Sequence, residues 1–145
     1  MKTILFNNIP ALLISSFILL LTSCGGDTPK SPNEKTEALI RSVTWKLSSL
    51  TVDGVSVDRY AGMTLQFGTG TYTTTGGAPV WPSSGTWSFE GTDGKKVKRE
   101  DGLIINVESA SAAQIVLSFD WTKTTYTTGR MMSVAGRHVM TFGKN

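Results

Sequence analysis

Between Val43 and Phe142 the large apolar residues recur at every second position. Val43, Trp45 and Leu47 alternate with Thr44, Lys46 and Ser48, and Met63, Leu65 and Phe67 with Thr64 and Gln66. The same spacing returns at Trp87 and Phe89, at Leu103, Ile105 and Val107, at Ile115, Leu117 and Phe119, and at His138, Met140 and Phe142. Successive side chains on a strand point to opposite faces, so each segment has one apolar and one largely polar face. Antiparallel sheet with one side in water has this signature.

Glycine punctuates the pattern where tight hairpins need a positive φ: Asp53-Gly54, Gly68-Thr69-Gly70, Asp93-Gly94, Asp101-Gly102 and Ala135-Gly136. The expected strands are 43–52, 62–67, 71–76, 85–90, 95–99 with 102–107, 114–120, 125–134 and 137–142. Whether 95–107 forms one bent strand or two stays open at this level. Short, regularly spaced strands with no long helix point to an all-β fold. The expectation is a small antiparallel up-and-down barrel of about eight strands with a short N-terminal helix. Such a barrel is nearly filled by its own side chains, or holds one small ligand.

The N-terminal segment reads differently. Met1-Lys2 is a small positive start, and Ile9 to Leu21 is almost wholly apolar, broken by Pro10 and Ser15-Ser16. That run is too short to cross a hydrocarbon core of about 30 Å. It closes on Leu21-Thr22-Ser23-Cys24, which resembles the lipobox of bacterial lipoproteins. The resemblance implies cleavage before Cys24, acyl chains on that cysteine, and a membrane partner reached through the lipid anchor. It places the protein in a bacterial cell envelope, on the outer membrane. Cys24 is the only cysteine, so disulfides and cysteine-based zinc sites are excluded from the folded part.

The chain then divides into a signal peptide (1–23), a flexible tether (24–33) and one barrel domain (34–145). Gly25 to Asn33 is polar, with two glycines and two prolines, and has nothing to pack. Ser31-Pro32-Asn33-Glu34 carries a cap, a first-turn proline and a capping-box glutamate. A helix is expected over 34–42, with Ala38 and Leu39 as its apolar face, bracing one end of the barrel.

The succession Val43-Thr44-Trp45-Lys46-Leu47, a Val-Asp-Gly turn, Gly62-Met63-Thr64-Leu65-Gln66-Phe67, a Thr-Tyr-Thr strand and Gly85-Thr86-Trp87-Ser88-Phe89 resembles the lipocalin-like domains of small Bacteroidota-type lipoproteins. The resemblance spans roughly Val43 to Phe142 and implies a small β-barrel, with no ligand assigned to most members. The opening Gly-x-Trp of ligand-carrying lipocalins is absent, because Val43 stands in place of the glycine. Their Thr-Asp-Tyr turn is also missing. Retinoid or odorant binding is therefore not implied.

Catalytic constellations are nearly empty. His138 is the only histidine, and no nucleophile elbow accompanies it, so it reads as a packed strand residue. The carboxylates are scattered apart from Glu100-Asp101, and no phosphate loop is present. No enzyme activity, metal or cofactor is expected. Fourteen Lys and Arg against eleven Asp and Glu is too small a surplus to imply a nucleic-acid partner. Lys95, Lys96, Lys98 and Arg99 run into Glu100-Asp101 and read as a solvated hairpin, with an anionic-ligand or lipid-headgroup contact as the alternative.

Aromatic residues are the remaining candidates. Trp45, Trp87 and Phe89 lie on apolar faces and read as core. Trp81 lies in the Gly76–Ser84 loop, which has no strand pattern. It is either a gate or stacking platform, or a cap that folds back over the barrel. Tyr72, Trp121 and Tyr126 are candidate rim contacts. Arg130, beside Gly129, marks a bulge or contacts an anion. Two functions follow: a carrier of a small hydrophobic or amphipathic ligand, or a filled barrel that docks an envelope protein.

Overall fold

The computed structural model describes residues 28–127 and 130–145, with residues 125–127 and 130–133 described as backbone. The helix α1 covers Pro32–Ile40. The strands are β1 (Trp45–Val52), β2 (Val55–Ser56), β3 (Thr64–Phe67), β4 (Thr71–Thr75), β5 (Ser84–Phe89), β6 (Lys96–Arg99), β7 (Ile104–Ala110), β8 (Gln114–Trp121), β9 (Thr125–Thr127), β10 (Arg130–Ser133) and β11 (Gly136–Lys144).

Eight of them close into an antiparallel barrel. Going round it, β1, β3, β4, β5, β6, β7, β8 and β11 each pair with the next, and β11 returns to β1. The β11–β1 ladder runs from Val52↔His138 to Trp45↔Lys144, with a register shift between Leu47 and Ser49. β2 is a short return from the tip of β1 through Asp53-Gly54, both at positive φ.

The barrel of about eight strands is present; the structure resolves the open 95–107 segment and changes the expected membership in one place. The 95–107 segment is two strands, because Gly102 (φ 83°) turns the chain between them. The 125–134 segment is not a barrel strand. β9 and β10 pair only with each other, while Trp121 on β8 pairs directly with Gly136 on β11. The hairpin is thus an excursion from a ladder that is continuous without it. Its register shift falls between Met131 and Ser133, whereas Arg130 pairs in register with Thr127.

The period-two pattern sets the core. Trp45, Leu65, Ile105, Ile115, Leu117, Met140 and Phe142 are fully buried inside. Two indole donors also find acceptors: Trp45 Nε1 donates to Ile40 O (2.7 Å) and Trp87 Nε1 to Thr71 O (2.8 Å). The first of these satisfies a helix C-terminal carbonyl that α1 itself leaves free.

The barrel has two unlike ends. The helix end holds the 68–70, 90–95 and 111–113 turns and the start of β1. α1 begins two residues earlier than the sequence suggests, because the capping box forms: Glu34 N donates to Ser31 Oγ and Ser31 N to Glu34 Oε2. Asn33 then grips the 90–95 hairpin, donating to Gly91 O and accepting from Gly94 N. Gly94 is required there, since a Cβ would lie 2.6 Å from Pro32 O. The buried helix residue is Ile40, while Ala38 is exposed. The loop end holds the 53–54 turn, the 76–83 loop, the 100–103 turn and the β9–β10 hairpin.

Candidate functional site

The loop after β4 turns into the barrel mouth. Trp81 N donates to Gly77 O (2.8 Å), closing a five-residue turn. Gly77 allows that turn, because a Cβ there would sit 2.7 Å from Trp81 Cβ and 2.9 Å from Met63 Cε. The far side of the loop is zipped to β4: Thr74 N donates to Ser83 O, and Thr74 Oγ1 to Pro82 O, both at 2.8 Å. Val80 and Trp81 are both 0% exposed.

The indole enters an aromatic chain. Tyr72 meets it edge-on at 5.5 Å between centroids, and Phe119 at 6.2 Å. Phe119 in turn stacks on His138 at 5.3 Å, with the ring planes 10° apart. Such contacts add to area burial by about 0.5–1.5 kcal/mol each. Tyr72 itself lies across from Gly85 in the β4–β5 ladder and leans over it: a Cβ on Gly85 would meet Tyr72 Oη at 2.6 Å.

Behind the indole lies Arg99, whose side chain is 1% exposed. Its guanidinium carbon is 5.1 Å from the Trp81 ring centroid. Nη1 donates to Val80 O (2.7 Å), and Nε and Nη2 form a fork on the Asp101 carboxylate. The Arg99 hydrogen bond is the main cause that holds the Asp101 carboxyl below its ordinary value, with the guanidinium charge and the Leu103 N–H adding to it against partial burial. A buried guanidinium is tolerable because one carboxylate, one carbonyl and one π face meet it.

Arg99 is a correction to the sequence reading. Lys95, Lys96 and Lys98 are exposed, as a solvated hairpin requires, but Arg99 points inward. The alternation carried that signal: Lys96 out, Val97 in, Lys98 out, Arg99 in.

His138 is buried, with Nδ1 3.1 Å from Gly136 O. Burial is the largest influence and pushes its pKa down, and Arg59 adds to this; the Gly136 carbonyl and Asp53 pull the other way. Tyr72 Oη, Trp81 Nε1 and His138 Nε2 have no hydrogen-bond partner among the described residues. Each such atom costs about 1–3 kcal/mol of desolvation.

The candidate residues therefore separate. Tyr72 and Trp81 are brought together, in the interior rather than at a rim. Trp121, at the end of β8, borders a surface groove of about 350 Å³ with Asp101, Leu103, Ile104 and Lys123. Tyr126 and Arg130 lie on β9 and β10, and their side chains are outside the described part. Cys24 lies outside the described residues. Among the described residues no group of three His, Cys, Asp or Glu converges as a metal cage, and no helix is long and apolar enough to cross a membrane. Neither a protein-family model nor a curated protein matches the chain.

Proposed function

We propose that this is a lipid-anchored, lipocalin-like barrel of the bacterial cell envelope whose interior is self-filled, and which works by docking another envelope protein. The single observation behind this is the inward Val80–Trp81 plug, fully buried and fastened by Arg99, Tyr72 and Phe119. A small barrel already packed with Trp45, Trp87, Phe67, Phe119 and Phe142 leaves a hydrophobic guest little to displace except that plug. The anchoring half of the reading rests on Leu21-Thr22-Ser23-Cys24.

One observation favours the carrier reading. Tyr72 Oη, Trp81 Nε1 and His138 Nε2, which have no hydrogen-bond partner among the described residues, lie along one aromatic chain, where an amphipathic guest would find hydrogen bonds. Titration with anilinonaphthalene sulfonate and with palmitate separates the two. A self-filled barrel gives no saturable change in tryptophan fluorescence and no rise in melting temperature. Saturable quenching that Trp81→Ala abolishes would overturn the proposal in favour of the carrier.

A further inference from the structure

Charge is distributed unevenly between the two ends of the barrel. Six exposed lysines lie at the helix end: Lys30 and Lys35 on or before α1, Lys95 and Lys96 at the hairpin that α1 grips, and Lys46 and Lys144 on the paired ends of β1 and β11. Glu34, Glu90 and Asp93 oppose them, and Arg41 is cancelled by Glu37 at 3.0 Å. The remaining described ionisable side chains carry five positive and six negative charges. The whole side-chain surplus of the described protein therefore sits at the end where the tether arrives.

We infer that the helix end is a seat for an anionic bilayer surface, which holds the barrel upright on its anchor and turns the plugged loop end away from the membrane. The inference rests on the anchored reading of Cys24. A surplus of three charges is too weak to hold a free protein to a membrane, because each lysine contributes little. A tether changes this. The residues between Cys24 and Ser31 reach at most about 25 Å when extended, so the lysines are held close to the headgroups at high effective concentration. α1 transmits the constraint, because Asn33 ties its first turn to the 90–95 hairpin and Ile40 ties its last to Trp45. The surface docked by another envelope protein is then the loop end.

The test is lysine footprinting of the full acylated protein, reconstituted in vesicles of phosphatidylcholine alone or with about 40% phosphatidylglycerol. Acetylation of Lys46, Lys95, Lys96 and Lys144 is expected to slow several-fold with phosphatidylglycerol, while Lys123 at the loop end keeps its rate. The protection should disappear in high salt, since charges are screened beyond about 3 Å at 1 M. The double charge reversal K95E/K96E, on exposed side chains, is expected to remove protection at Lys46 and Lys144. Equal rates in both vesicles, or protection of Lys123 instead, would overturn the seat. The mass of the N-terminal peptide in the same digest reports the acyl chains, so loss of the anchor is distinguished from loss of the seat.

Discussion

Trp81 is the residue on which the most depends. It is fully buried, its neighbours are aromatic, and Arg99 backs it. Trp81→Ala is expected to destabilise the protein by about 3–5 kcal/mol in urea unfolding, the range for a core tryptophan. A loss under about 1 kcal/mol would place the indole outside the core. The Arg99–Asp101 pair is asymmetric, with side-chain exposures of 1% and 42%. Asp101→Asn strands a buried cation, whereas Arg99→Met leaves a carboxylate that water already reaches. The asparagine variant is expected to lose more stability than the methionine variant; the reverse order would mean that the guanidinium is solvated. His138 supplies a pH dependence of known sign. Its folded pKa lies below the ordinary 6.5, so the unfolded chain binds the proton more readily. Stability is therefore level above that value and falls as the pH drops below it. Melting temperatures of wild type and His138→Gln between about pH 7.5 and 5.5 should show a slope in the first that the second lacks.

Elements formed where local chemistry and long-range pairing agreed. The helix start was legible at Ser31-Pro32-Asn33-Glu34 because a capping box is satisfied within four residues. Ser31→Ala is expected to cost about 1 kcal/mol, read by thermal unfolding. A change within error would show that Asn33, not the cap, fixes the helix. The apolar face is centred on Ile40 and not on Ala38 and Leu39, because the last helical residue, next to the start of β1, is the one that reaches the core while Ala38 stays exposed. Strand membership failed at 125–134 for a similar reason. Threonine-rich β-formers pair with whatever edge is near, and here β9 and β10 satisfy each other while β8 and β11 meet without them.

For the whole molecule, the anchor and the barrel are separable. Cys24→Ser is expected to shift the protein from the membrane pellet to the soluble fraction after a high-salt wash, with its melting temperature unchanged. Retention in the pellet would mean that the apolar N-terminal segment itself holds the membrane. The sequence alone determined the all-β class, the near-count of strands, the glycine hairpin turns other than Ala135-Gly136, where β10 and β11 do not pair, the helix cap and the burial of Trp45 and Trp87. Each of these follows from period two, from positive φ or from contacts within a few residues. Only the tertiary structure decided that Val80 and Trp81 turn inward, that the inward Arg99 meets Asp101 and Val80 O, and which strands join the ring. Those outcomes depend on what a loop meets once eight strands have closed around an interior, and such contacts leave no periodic trace along the chain.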